Sequence, residues 1–202
     1  MQFETERLRL RDWYPTEDAR HAMDIYGDAR VMNWIEPGTK DASIRQVQGR
    51  LQRYVDRAKR TTDGTRSWAV VQKDIGRVIG TVMLNELPDI EDVRQQHTPE
   101  PIEGGMSTKY IEIGWHFRPS SWGFGYATEA AFCIAQHGFS ALGFSLLLGV
   151  TQPENRHSIT AMEQLGMRYS GMTTRCYGGK ALQLYLLTEK DFQLAKEKCL
   201  EG

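Results

Sequence analysis

Cysteine is scarce in this 202-residue chain: three residues, Cys133, Cys176 and Cys199, far apart and odd in number. They form neither a disulfide framework nor a metal-ligand cluster, so the expectation is a reducing, cytoplasmic setting and no metal site. No apolar run approaches the length of a membrane span, and MQFETERLRLR lacks the apolar h-region of a secretory signal. Charge of one sign is also missing. With 25 Lys+Arg against 26 Asp+Glu the formal net charge is -1, which argues against general nucleic-acid binding. Repeats and low-complexity tracts are absent. The length allows one real core, and the composition, 40% hydrophobic and 25% charged, is that of a globular domain.

What is present centres on Tyr110–Ala130, YIEIGWHFRPSSWGFGYATEA. Ile111, Ile113, Trp115 and Phe117 alternate with Glu112, Gly114 and His116, the period-2 pattern of a strand. Pro119 breaks it. Trp122-Gly123-Phe124-Gly125-Tyr126 then gives a tight turn with exposed N–H groups, and a helix follows from Ala127 to about Phe139. Strand, glycine loop and helix N-terminus together make an anion site. The loop lacks the Lys of a P-loop, and Thr128 stands where a dinucleotide fingerprint needs its third glycine. A lone Gly-x-Gly is also found in ordinary turns.

The remaining pattern predicts a strand over residues 8–13, with Arg7, Arg9 and Arg11 as a solvated face, and helices over 15–26 and about 41–59. A hairpin of strands is expected over 67–72 and 77–84. Residues 86–109 form a long polar stretch, either a functional lid or a surface insertion. Leu146–Thr151 reads as a strand buried on both faces. A helix then ends at Gly166, two strands flank Tyr177-Gly178-Gly179, and a last helix opens at Thr188. The order is mixed α/β or α+β, within a single domain.

Three tracts in order, Glu4-Thr5-Glu6-Arg7-Leu8-Arg9-Leu10-Arg11, Trp122–Ala130, and Pro153-Glu154-Asn155-Arg156-x-Ser158 with Leu165-Gly166-Met167, resemble the GCN5-related N-acetyltransferases (GNAT), in particular the RimJ/RimL-like branch. Ser120 stands where the broad superfamily signature has Gln or Arg, so the chain fits the branch better than the superfamily. The resemblance implies a central mixed, mostly antiparallel sheet flanked by helices, and acetyl-CoA as cosubstrate. It implies acetyl transfer to a primary amine, of a protein N-terminus or a small molecule, by direct attack in a ternary complex.

The coenzyme residues it implies are Phe117, Arg118, Trp122, Gly123, Phe124, Gly125, Tyr126, Ala127, Thr128, Asn155 and Ser158. Glu112 is the expected general base and His116 the second candidate, and a backbone N–H near Phe117 or Arg118 is the expected oxyanion donor. Met162 stands where many members of the superfamily carry a proton-donating Tyr, which leaves Ser158 to stabilise the leaving sulfur. That departure keeps a second reading open: an acyl-CoA-binding or sensing module without chemistry. Val31–Ile35, with Trp34, is either part of the acceptor wall or core. Glu86, Glu91, Asp92 and Glu103 suggest an acidic acceptor cleft suited to cationic amines. The protein is expected to be a monomer or homodimer, with no nucleic-acid or membrane partner.

Overall fold

The structure is a computed structural model and describes residues 1–87 and 110–201. Among them, eight strands form one sheet: β1 (Gln2–Glu4), β2 (Leu8–Arg11), β3 (Arg66–Gln72), β4 (Arg77–Glu86), β5 (Ile111–Phe117), β6 (Leu146–Thr151), β7 (Arg168–Thr173) and β8 (Leu182–Thr188). The spatial order is β1-β2-β3-β4-β5-β6-β8-β7. Every neighbouring pair is antiparallel except β5 and β6.

Among the described residues six α-helices flank the sheet: α1 (Pro15–Tyr26), α2 (Ala29–Ile35), α3 (Ile44–Arg60), α4 (Tyr126–Ser140), α5 (Arg156–Gln164) and α6 (Glu189–Glu201). Alternation along the strands sends apolar side chains to both faces. Trp68, Val70, Ile113 and Leu147 pack with Ala130, Ile134 and Phe139 of α4 and Phe192 of α6. Ala69, Val71 and Val78 pack on the opposite face with Ala22 and Ile25 of α1 and Val47 and Leu51 of α3. Leu147 and Leu148 belong to cores on opposite faces, as expected for a strand buried on both.

The site is positioned by where the sheet splits. β5 is paired with β4 along its whole length, but with β6 only at Ile111–Leu147 and Glu112–Leu148. The Arg118 N–H donates to the Ile79 carbonyl (3.0 Å) and the Tyr110 carbonyl accepts from the Leu87 N–H (2.8 Å). Even-numbered residues of β5 therefore turn their N–H groups toward β4. By the period of two, Ile113, Trp115 and Phe117 turn theirs toward β6 and, past Glu112, into the gap.

Two elements differ from the sequence pattern. Residues 31–35 lie in a helix, α2, capped by the Asp28 side chain accepting from the Arg30 N–H, and β1 is a strand of three residues, too short to show a period. The long polar stretch lies, beyond Leu87 and up to residue 109, outside the described residues.

Candidate active site

Two cavities meet at the split. The smaller, about 330 Å³, is lined by Trp122, Gly123, Gly125, Tyr126, Ala127 and Thr128 of the glycine loop and the start of α4, and by Thr160, Ala161 and Gln164 of α5. The larger, about 700 Å³, is lined by Glu112, Gly114, Asn85, Met162 and Tyr177, with the C-terminal half of α3 as a further wall. Trp34, Ile35, Trp115, His116, Asn155 and Ser158 line both. Trp34 is 38% exposed, so it is wall rather than core.

The smaller cavity has the features of a phosphate cradle. Gly123 and Gly125 have φ of 81° and 77°, the left-handed region that a side chain disfavours. Gly125 is the N-cap of α4 and no side chain caps that end. The first-turn N–H groups thus stay available to an anion, with the positive end of the helix dipole behind them.

The loop is anchored by the N-terminal tract. Arg7 donates from Nη1 to the Phe124 carbonyl (2.9 Å) and from Nε to Glu129 Oε2 (2.6 Å). The Arg7 N–H (2.9 Å) and the Thr5 hydroxyl (2.5 Å) both donate to Glu129 Oε1. These partners hold the Glu129 carboxyl below its usual range against the opposing pull of burial. Arg7 is therefore a clamp on the loop as well as an exposed side chain.

The sequence-predicted residues are brought together with two exceptions. Arg118 lines neither cavity; its N–H is given to Ile79 and its Nε to Ser121 Oγ (3.0 Å). Its N–H points at β4, whereas the Trp115 and Phe117 N–H groups face the gap. Phe124 is 60% exposed and stacks on Tyr126 outside the cavities; its carbonyl, not its ring, belongs to the loop's anchoring. Phe117 and Trp122 meet through an indole N–H donating to the Phe117 carbonyl (2.8 Å). The Thr128 hydroxyl donates to Gln164 Oε1 (2.9 Å), joining α4 to α5. Asn155 caps α5, its Oδ1 accepting from the Ser158 N–H (3.2 Å).

Glu112 is 7% exposed. Burial raises its pKa to about 7, and the hydrogen bond it accepts from the Tyr177 hydroxyl offsets part of that rise. Tyr177 was readable in the sequence only as a turn residue. It adopts φ 51°, the one positive φ at a non-glycine residue among the described residues. Its ring stands half-exposed at the cavity rim, with the hydroxyl directed inward to the carboxylate. Sixty-five positions separate the two residues, and no local pattern connects them.

His116 is a weaker base. Burial, with the Arg50 charge adding to it, pushes its pKa down to about 3. Its Nδ1 lies 3.4 Å from the Tyr26 hydroxyl, which itself sits 2.6 Å from Thr81 Oγ1 and accepts from the Tyr54 hydroxyl (3.2 Å). His116 thus serves as a neutral member of a polar network. Cys133 and Cys176 line neither cavity, and burial pushes both thiols up to about 11. Among the described residues no group of three or more His, Cys, Asp or Glu could hold a metal ion, and no helix is long and apolar enough to cross a membrane.

The split mixed sheet with a glycine loop and an uncapped helix at its mouth has the layout that the resemblance implies. The sequence model described as "Acetyltransferase (GNAT) domain" matches residues 7–168, and the chain belongs to that family. It is similar to the uncharacterized N-acetyltransferase YnaD of Bacillus subtilis, 27% identical over 87% of this chain and 88% of that one. It is also similar to the uncharacterized N-acetyltransferase p20 of Bacillus licheniformis, 25% identical over 83% of each. Among solved structures, a GNAT-family acetyltransferase from Bacillus anthracis shares the fold at a TM-score of 0.71 and 21% identity, covering 94% of this chain and 99% of that one. A ribosomal-protein-S5-alanine acetyltransferase from Vibrio fischeri does so at 0.69 and 19%, covering 95% and 98%.

Proposed function

We propose that this acetyltransferase uses acetyl-CoA and transfers the acetyl group to a primary amine by direct attack within a ternary complex, with Glu112 as general base. The observation that carries this reading is a buried carboxyl with a pKa near 7 in a cavity that opens onto an anion-binding helix N-terminus.

When bound, the coenzyme supplies the acetyl thioester; Gly123–Thr128 would hold its pyrophosphate through backbone N–H groups. Glu112 takes the proton that the attacking amine loses. The Trp115 or Phe117 N–H, aimed into the gap, stabilises the carbonyl oxygen as it gains charge. The Ser158 hydroxyl, in the wall shared by both cavities, hydrogen-bonds the departing sulfur. Cys133 and Cys176 are poorly suited to carrying a covalent acetyl intermediate, because they lie outside both cavities and are held protonated. Within the family, the three matching tracts favour the RimJ/RimL-like branch.

The test pairs binding with turnover. Acetyl-CoA is expected to raise the Tm where ATP and NAD do not, and free coenzyme A thiol is expected to appear only when an amine is added. Coenzyme binding without thiol release across a broad amine panel would establish the second reading, a sensing module, which Met162 favours by removing a proton donor from α5.

A further inference from the structure

The wall of the larger cavity carries more positive charge than a general amine site needs. Arg50, Arg53 and Arg57 line it from α3, and Lys180 from the turn before β8. The three arginines stand at i, i+3 and i+7, which places them on one helix face. Arg50 is buried and committed: its Nε donates to Asp41 Oδ2 (2.8 Å), and Nη1 lies 3.5 Å from Glu36 Oε1. Arg53, Arg57 and Lys180 are exposed to the cavity and have no ion pair among the described residues.

The helix dipole alone does not explain them. Lys59 and Arg60 share the last turn of α3 with Arg57 and would complement the dipole equally, yet neither lines the cavity. Arg57 is also close enough for its charge to act on the Tyr177 hydroxyl that binds Glu112. Among the described residues, the carboxylates in the wall do not balance the set. Glu36 is shared with Arg50, and Glu112 is the residue that must accept a proton. Glu86 is the remaining described carboxylate of the wall, and it has a partner of its own.

We propose that the acceptor is a small amine that also carries an anionic group, a carboxylate or a phosphate, held by Arg53, Arg57 and Lys180 while its amine faces Glu112. This rests on the acetyltransferase reading above and names its substrate class. It differs from the acidic, cation-selecting cleft expected from the sequence, of which Glu86 lines the cavity while Glu91, Asp92 and Glu103 lie outside the described residues. The cationic wall works in two ways. It repels polyamines and other multiply charged cations, and it lowers the pKa of an amine bound beside it, so that more of it is neutral for attack. A cavity of about 700 Å³ has the size of a small-ligand site.

The experiment measures coenzyme A release by the full chain, with acetyl-CoA saturating, for acceptors of matched length: ω-amino carboxylates, aminoalkyl phosphates, n-alkylamines and α,ω-diamines. The proposal expects kcat/KM for at least one anionic series to exceed the alkylamines and diamines by about tenfold or more, the scale of one charge-assisted contact. That advantage should shrink as salt rises. Arg53→Gln and Arg57→Gln should each reduce the ratio of anionic to neutral acceptor severalfold through KM, with Arg57→Lys recovering part of it. The two anionic series separate carboxylate from phosphate. Release with alkylamines or diamines at equal or higher kcat/KM overturns the substrate class while leaving acetyl transfer intact. Release with none of the four series, from a protein that binds acetyl-CoA, overturns the proposal together with the reading beneath it.

Discussion

Glu112 and Tyr177 carry the account at the scale of single residues. The carboxyl pays an ionisation cost for being buried, and the phenol relieves part of it. Tyr177→Phe removes a hydrogen bond that favours the charged carboxylate, so the pKa should rise further above about 7. The expected outcome is an acidic limb of the pH–rate profile displaced to higher pH, with activity at neutral pH reduced and regained as pH increases. A second prediction follows from linkage. The folded-state pKa of Glu112 is raised, from 4.5 to about 7, so the folded protein binds this proton more tightly than the unfolded chain. Stability is therefore lost as pH rises between those values, and the cost is complete above the upper one. Glu112→Gln should leave stability unchanged near pH 4 and raise it at pH 8, by up to roughly 3 kcal/mol, as urea denaturation at the two pH values would show. The identity of Glu112 was legible because it is the single carboxylate on an alternating strand. Its partner was not, because a turn residue such as Tyr177 announces a backbone shape and nothing of what its hydroxyl reaches.

Among the elements, the glycine loop is where local sequence says most. Period-2 apolar residues, a proline break, two glycines and a helix are all nearest-neighbour signals, and each appears in the structure as β5, the loop and α4. Long-range contacts decided what local signals left open. Arg7 looked like one of three solvated arginines because its clamp on Glu129 and Phe124 spans more than a hundred positions. Arg118 looked like a loop residue facing the coenzyme because the direction of its N–H depends on the β4 register. Two expectations follow. Gly125→Val forces a β-branched residue to φ 77°, and isothermal titration should show coenzyme affinity reduced at least tenfold while circular dichroism reports a folded protein. Arg7→Ala removes the clamp but no coenzyme contact, and should weaken coenzyme binding severalfold with a smaller loss than Gly125→Val. Equal affinity in all three proteins would remove the loop from the coenzyme site.

The whole molecule is a sheet that splits. Its order could not be read from the sequence: hairpin signals correctly joined β3 to β4 and β7 to β8, but β8 lies between β6 and β7, which only the packed sheet reveals. The parallel pairing of β5 and β6 at two positions opens the gap into which Trp115 and Phe117 turn their N–H groups, and both cavities border it. The helices cover opposite faces of the sheet, each face with its own core. The proposed catalysis depends on one arrangement: an acetyl donor at the loop, an amine in the larger cavity, and Glu112 on β5 between β4 and β6. The pH dependence of kcat for the wild type and Glu112→Gln, with acetyl-CoA and an accepted amine at saturation, tests that arrangement most directly. The wild type should gain rate as pH passes through about 7, the pKa of the buried carboxyl. Glu112→Gln should lack that limb, run about 10²-fold slower near neutrality, and close the difference as pH approaches the pKa of the amine, where no base is needed. A variant whose profile runs parallel to the wild type with little loss of rate would contradict the account.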